Sequence, residues 1–98
     1  MTSKQRAYLK SLANNLDPIF QVGKSNLTPE LTAAIGEAFH NNELIKIGVL
    51  KNCADDPGEI AQIVAERTHS QVVQVIGKKF ILYKPDQDKP KIVLPRAK

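Results

Sequence analysis

The first part of the chain alternates between a helical and an extended pattern. Apolar residues recur with the 3.6-residue period of a helix, which predicts a first helix over residues 3–15 with Ser3 as its N-cap. These apolar residues are Tyr8, Leu9, Leu12 and Leu16. The helix is expected to end before Pro18, because the residue that precedes a proline disfavours the α region. A short strand over residues 18–22 and a loop over residues 23–26 follow.

Two further helices carry strong start signals. Thr28 is a suitable N-cap with Pro29 at the first helical position, and Asp56 and Pro57 repeat this pair farther along the chain. The buried stripe is expected to be Leu31, Ala34, Ile35, Ala38 and Phe39 in the second helix, and Ile60, Ile63 and Val64 in the third. Residues 41–42, both asparagine, are expected to close the second helix in the left-handed region.

The remaining segments have the pattern of strands. Residues 43–51 alternate between apolar and other residues, and residues 72–76 and 80–84 form a predicted hairpin joined by residues 77–79. Residues 85–98 contain three prolines. We expect them to be a mostly extended basic tail, with a short edge strand at its centre, over residues 91–94.

The predicted order of elements, α-β-α-β-α-β-β, favours a single-domain α/β sandwich in which helices pack on a small mixed sheet. Right-handed crossovers place the helices of the strand–helix–strand units on one face. The first helix would then cover the other face. A length of 98 residues fits one such domain.

The composition excludes several classes of protein. The apolar runs are far shorter than the about 20 residues of a membrane-spanning helix. No apolar segment of the signal-peptide type follows the basic N-terminus. The single cysteine, Cys53, excludes a disulfide framework and a multi-cysteine zinc site. We therefore expect a cytoplasmic protein.

The net charge of +4 is unevenly distributed. Residues 1–24 have four basic side chains against one acidic, and residues 75–98 have seven against two. Residues 25–74 have three basic side chains against seven acidic. Basic ends that meet in the fold would attract a polyanion such as a nucleic acid. The alternative is a lysine-rich surface that keeps the protein in solution, and charge alone leaves both interpretations open.

Candidate catalytic residues are few. His40 and His69 lie near predicted helix ends and are interpreted as C-terminal helix residues, and Cys53 is interpreted as a small packing residue. Asp55 and Asp56 could form a carboxylate pair for a metal, but capping of the third helix is favoured. No Walker loop and no dinucleotide-binding glycine motif occurs. We therefore expect neither an enzyme nor a cofactor or metal.

The loop over residues 23–26 is the most informative motif. The backbone amides of this loop, the Lys24 charge and the N-terminus of the following helix all favour an anion. Gly23 permits a phosphate to approach closely, and Asn26 tolerates the left-handed region. The arrangement resembles the G-x-x-G loop with which KH domains clamp a nucleic-acid backbone. The alternative is a plain strand-to-helix turn that needs these two residue types.

The predicted hairpin is the second basic element. Lys78 and Lys79 lie at its tip, and Tyr83 and Lys84 follow along its second strand. Lysines at such a tip also occur simply to solvate it. Tyr83 could stack on a base, but the chain has only two tyrosines and three phenylalanines, so we favour a place for it in the core.

Five ordered stretches resemble the YhbY family, the stand-alone bacterial form of the CRM domain. They are residues 4–10 (KQRAYLK), 18–24 (PIFQVGK), 26–28 (NLT), 43–47 (ELIKI) and 72–84 (VVQVIGKKFILYK). The resemblance implies a single CRM-type RNA-binding domain over residues 1–98, with a fold similar to the C-terminal domain of translation initiation factor three. It also implies association with precursors of the large ribosomal subunit. The family loop has glycine at its fourth position, where this chain has Asn26, so we expect this loop to approach a phosphate less closely.

The predicted RNA contacts combine the basic first helix, the loop and the hairpin. They are Lys4, Arg6, Lys10, Gly23, Lys24, Ser25, Asn26, Lys46, Lys78, Lys79 and Lys84. The expected partners are ribosomal RNA of large-subunit precursors and ribosomal particles, with no membrane, and the protein itself is expected to be a monomer. Two alternatives are a DNA binder without sequence preference and a protein–protein adaptor that uses the acidic middle of the chain. The acidic residues of that adaptor face are Glu30, Glu37, Glu43, Asp55, Asp56 and Glu59.

Overall fold

Helices and strands follow one another in the predicted order in this computed structural model, which describes residues 1–23, 27–51, 55–86, 88 and 90–94. They are α1 (Ser3–Ala13), β1 (Phe20–Val22), α2 (Pro29–Ala38), β2 (Leu44–Val49), α3 (Pro57–Thr68), β3 (Gln71–Ile76) and β4 (Lys79–Tyr83). The predicted α/β fold class is confirmed. Across these described ranges, none of the helices is long and apolar enough to cross a membrane.

The strands form one mixed sheet in the order β1-β2-β4-β3. β1 runs parallel to β2 across the α2 crossover, and β4 runs antiparallel to both of its neighbours. The carboxyl ends of β1 and β2, at Val22 and Val49, therefore lie at the same end of the sheet as the Gly77-Lys78 turn between β3 and β4. This end is termed the turn end. Gly77 has a φ of 54°, as the first central residue of a type II′ hairpin turn requires.

Helices cover both faces of the sheet. α2 and α3 lie on one face, where the buried cluster is Val22, Ile35, Phe39, Ile45, Ile47, Val49, Ile60, Ala61, Val64, Ala65, Phe80 and Leu82. α1 lies on the other face, termed the α1 face, where the buried cluster is Leu9, Ala13, Leu44, Val73, Ile81 and Tyr83. Both crossover helices share a face and the first helix covers the other, as predicted.

The N-cap of α1 is Thr2 and not Ser3 as predicted. The Thr2 hydroxyl accepts the Gln5 N–H at 3.1 Å, and the Gln5 side-chain oxygen accepts the Thr2 N–H at 3.0 Å. This reciprocal capping box satisfies two backbone donors. Ser3 could not form it, because the residue three positions later is Arg6, whose side chain has no acceptor.

Three other predictions of local structure are wrong. In the described part of the chain, His69 at the end of α3 is the only non-glycine residue with a positive φ. Residues 41–42 therefore do not close α2 in the left-handed region. Ile63 is 41% exposed, because it lies at the margin of the buried stripe of α3. That stripe is Ile60, Ala61, Val64, Ala65 and Thr68. Residues 91–94 form no strand, since their apolar side chains, Ile92 and Leu94, pack against the cluster under α1 instead.

The segment after β4 is held to the sheet by one buried carboxylate. Glu43 is 5% exposed; its Oε2 accepts the Asp86 N–H at 2.7 Å, and its Oε1 accepts the N–H groups of Lys91 and Ile92 at 2.6 and 2.7 Å. Burial raises the pKa of Glu43, but these hydrogen bonds to the ionised form outweigh burial, and the pKa lies below its ordinary value.

Candidate nucleic-acid interface

The turn end brings the start of the predicted loop close to the predicted hairpin. The Val49 N–H donates to the Lys78 carbonyl at 2.6 Å, and the Leu50 N–H donates to the Val22 carbonyl at 2.8 Å. The end of β2 therefore bridges the end of β1, where Gly23 begins the loop, to the tip of the hairpin. Two of the three predicted basic elements meet at this place.

The described neighbours of Gly23 do not require a glycine. Its φ does not lie in the positive range, and a β-carbon there would meet the Leu50 side chain at 3.4 Å, which is an ordinary contact distance. The predicted contacts Lys24, Ser25 and Asn26 lie outside the described residues. After them Thr28 caps α2, as predicted, with its hydroxyl accepting the Leu31 N–H at 3.1 Å.

The lysines of the hairpin tip are exposed. Lys78 lies in the turn and Lys79 begins β4. Between described residues, the one contact of ion-pair length joins His40 to Glu37, whose nearest atoms lie 3.8 Å apart and carry opposite charges only when His40 is protonated. No described carboxylate therefore neutralises Lys78 or Lys79, and both charges are available to an anion.

Arg6 donates to the backbone of the protein itself. Its Nη1 donates to the carbonyl oxygens of Val72 and Val73, both at 2.9 Å. The two carbonyls converge where the register of β3 shifts between Val72 and Gln74, as at a β-bulge. Arg6 thus ties α1 to β3, which is a structural role that the sequence-based assignment to RNA contact did not include.

The other predicted cations do not all lie together. Lys4 and Lys10 are on α1, exposed and half-buried respectively, and Lys46 is half-buried on the α1 face of β2. Lys84 follows β4 at the opposite end of the sheet, about 20 Å from Lys78 at about 3.3 Å per strand residue. There it lines a groove of about 420 Å³ between α2 and α3. Lys84 is therefore separate from the turn end.

Two side chains considered for intermolecular contacts are buried. Tyr83 is 4% exposed beneath α1, which confirms its place in the core; burial, and secondarily the Glu43 charge, raise its pKa. Glu43 is also buried and cannot serve on the acidic face of an adaptor.

Asp56 is the predicted N-cap of α3, where its Oδ2 accepts the N–H groups of Gly58 and Glu59 at 3.0 and 3.2 Å.

The two histidines lie at helix ends, as predicted. His40 borders a cleft of about 310 Å³ that two aspartates also line, but its Nε2 pairs with Glu37, and the two side chains are 74% and 81% exposed. His69 is the exposed C-cap of α3. In the described part of the chain, no group of three or more His, Cys, Asp or Glu could hold a metal ion. Cys53 lies outside the described residues.

Sequence reasoning missed an uncovered part of the α1 face near the turn end. Cross-strand pairing puts Gln21, Gly48, Lys79 and Ile76 in one row across all four strands. Gln21 and Lys79 are exposed, and Ile76 is 51% exposed. The Gln21 side chain lies over Gly48. The alternation within each strand predicts a face for each residue, but only the strand order makes these four residues neighbours.

The fold and the basic turn end define a small α/β domain with helices on both faces of a mixed sheet. Residues 1–84 match the family model described as the CRS1 / YhbY (CRM) domain. The chain belongs to this family, and the resemblance predicted from its sequence is confirmed.

Relatives match the chain over nearly its full length. It is 41% identical over 95 residues to the Bacillus subtilis "Probable RNA-binding protein YqeI", covering 97% of this chain and 99% of that protein. It is 34% identical over 96 residues to a Haemophilus influenzae "RNA-binding protein", covering 98% and 96%. The solution structure of the Staphylococcus aureus protein SAV1595 superposes with a TM-score of 0.80 at 43% identity, covering 97% of this chain and 100% of that one. Both relatives bear names of RNA-binding proteins, which agrees with the RNA-binding class predicted from the sequence.

Proposed function

We propose that this protein binds RNA through the turn end of its sheet, and that this RNA is the ribosomal RNA of large-subunit precursors. One observation carries the proposal: the start of the loop at Gly23 and the hairpin lysines meet at one end of the sheet. It is supported by the names of relatives that match nearly the whole chain. The ribosomal RNA follows from the resemblance to the YhbY family.

Electrostatics at the turn end favour a phosphate backbone. Lys78 and Lys79 are exposed, and α2 begins directly after the loop, so the partial positive charge of its N-terminus adds to theirs. Glycine at position 23 would let a phosphate approach the backbone closely, because it has no β-carbon. Phosphate contacts supply much of the affinity of such proteins and make it dependent on salt.

The elements contribute unequally in this proposal. Arg6 holds α1 in place in this proposal, and Lys4 and Lys10 are the cations of that helix whose main role is contact with RNA. Lys84 would contact only an RNA that extends around the α2–α3 side of the molecule. The loop and the hairpin tip are the primary contact.

The direct test measures binding to purified large-subunit ribosomal RNA over a range of salt concentrations. Replacing Lys78 and Lys79 together by alanine should weaken binding and reduce the slope of log K against log salt by about two, since each lysine that no longer neutralises a phosphate lowers the slope by about one. Arg67→Ala with Lys91→Ala is the matched control, since it removes two exposed charges away from the turn end. Lys24→Ala tests the loop in the same way. Equal losses of affinity in both double variants would contradict the assignment to the turn end.

The ribosomal part of the proposal has its own test. Cells that lack the protein should accumulate large-subunit precursors, and the tagged protein should sediment with those particles. Retention on particles without binding to naked ribosomal RNA would favour the adaptor instead. Equal competition by DNA at matched salt would favour a general polyanion binder, because a preference for RNA requires recognition of A-form shape or the 2′-OH.

A further inference from the structure

We propose that the turn-end part of the α1 face, which α1 leaves partly uncovered, holds a segment of unpaired RNA, so that the protein binds a single strand and not a duplex at this surface. The inference rests on the proposed function and names the class of RNA that it would take. The surface is termed the sheet platform and consists of Gln21, Lys46, Gly48, Gln74, Ile76 and Lys79.

The platform is a shallow two-row surface next to α1. The row at the turn end runs across four strands from Gln21 to Ile76, and the next row includes Lys46, buried Ile81 and half-buried Gln74. Strands about 4.8 Å apart make such a row about 14 Å wide. In the RRM module, one face of a four-stranded sheet holds two or three bases, so the dimensions suit a short single strand.

The charge of the platform complements RNA. It carries two lysines and two glutamine amides, and none of the four strands contains an aspartate or glutamate. Lys79 belongs both to this surface and to the basic hairpin tip. A strand of RNA with its phosphates at the turn end can therefore extend over the sheet without meeting a described carboxylate on it.

The other side chains of the platform distinguish unpaired from paired RNA. Ile76 exposes apolar surface beside Lys79, and Ile19, 49% exposed, borders the β1 side, where its N–H donates to the Lys46 carbonyl at 3.0 Å. A duplex keeps its bases stacked and presents mainly phosphates and 2′-hydroxyls. Unpaired bases present flat faces to apolar side chains and hydrogen-bonding edges to amides such as Gln21.

Gly48 has no side chain, so β2 contributes no atoms above the backbone in the middle of the platform. The Gln21 side chain lies across it in place of a β-carbon, so no side chain rises from β2 at this position. The amide of Gln21 is thus available over the centre of the row, where a base edge would lie.

Methyl NMR tests the platform on the unaltered protein. Protein labelled at isoleucine methyl groups is titrated with a mixed-sequence RNA strand of about ten nucleotides and, separately, with a blunt RNA duplex. The Ile76 signal should shift strongly with the single strand and much less with the duplex, whose phosphates would reach only the neighbouring Lys79. Ile63, 41% exposed on α3, is the control and should stay in place with both. Equal shifts of Ile76 with both probes, or shifts of Ile63 as large as those of Ile76, would overturn the proposal.

A pair of neighbouring variants gives an independent readout. Ile76 and Val75 are 51% and 42% exposed and point to opposite faces of β3. Ile76→Ala should weaken binding of the single strand about fivefold, because a base on the platform would bury apolar surface of Ile76, and Val75→Ala should leave it unchanged. If the protein binds ribosomal RNA and Ile76→Ala binds the single strand as well as wild type, the platform is wrong and the proposed function stands. If the protein binds none of these RNAs, the proposed function fails, and the platform with it.

Discussion

Gln21 lies across Gly48 on the neighbouring parallel strand and fills the space that a β-carbon on Gly48 would occupy. The two residues are directly opposite in the register of β1 and β2. The contact joins the edge strand that leads into the loop to a central strand of the sheet. It also sets the height of the surface on which we propose that RNA lies.

Gly48→Ala is expected to displace the Gln21 side chain and to preserve the fold. The close described neighbours of the new carbon are the end atoms of that exposed, flexible side chain, and alanine in a strand is favoured over glycine by about 0.5–1 kcal/mol. The side-chain amide signals of Gln21 should therefore shift in NMR spectra, while the free energy of unfolding changes by less than about 1 kcal/mol. Adding Gln21→Ala should remove any strain, and a loss of several kcal/mol in the single variant would contradict this account.

Glu43→Gln should lower the free energy of unfolding at neutral pH by about 1–3 kcal/mol, because an amide cannot accept all three N–H groups. The pKa of Glu43 is lower in the folded than in the unfolded protein. The stability that its ionised form contributes is therefore complete above the unfolded pKa of about 4.3 and is lost as the pH falls through the folded pKa. The free energies of unfolding of wild type and variant, measured with urea from pH 7 to pH 3, should converge in acid. A difference that does not depend on pH would contradict the hydrogen-bonded carboxylate.

Arg6→Met should destabilise the protein by about 1–3 kcal/mol, because it leaves two carbonyl groups of β3 without their charged donor. Lys4→Met is the matched control on the same helix, and its exposed side chain predicts a change within about 0.5 kcal/mol. Equilibrium urea unfolding measures both variants. Equal stabilities would show that Arg6 is a surface cation like Lys4.

Asp56→Ala should cost about 1 kcal/mol of stability, since it removes the acceptor for the Gly58 and Glu59 N–H groups at the start of α3. Asp56→Asn keeps a side-chain acceptor and should recover most of that loss. Thermal unfolding followed by circular dichroism distinguishes the two variants. Equal losses in both would mean that the charge of Asp56, and not its capping geometry, is what stabilises the protein.

Local signals account for most of what could be predicted of the fold. The Thr-Pro and Asp-Pro pairs at residues 28–29 and 56–57 mark helix starts through interactions within four residues, and both caps are confirmed. Periodicity likewise predicts each strand to within a few residues. Where local signals compete, prediction fails: Thr2 takes the place of Ser3 because the glutamine needed for a capping box lies three residues after Thr2.

The site could be predicted less completely, because its contacts join distant parts of the chain. Arg6 has the pattern of a surface cation, and its partner Val72 lies 66 residues away. Glu43 has the pattern of an exposed acid at a strand start, and its donors begin 43 residues later, at Asp86. The sheet platform depends on β4 lying between β2 and β3, which no local signal indicates.

β1 has three residues and lies at the edge of the sheet, paired on one side with β2. A strand this short opens locally at a lower free energy than the central strands. RNA that binds only while β1 is paired with β2 shifts this opening equilibrium toward the paired state. Bound RNA should therefore slow amide hydrogen exchange at Val22 more than in the centre of β4. Part of the interaction free energy would then appear as the ordering of one short strand, and the measured affinity would depend on the stability of that strand as well as on contacts with RNA.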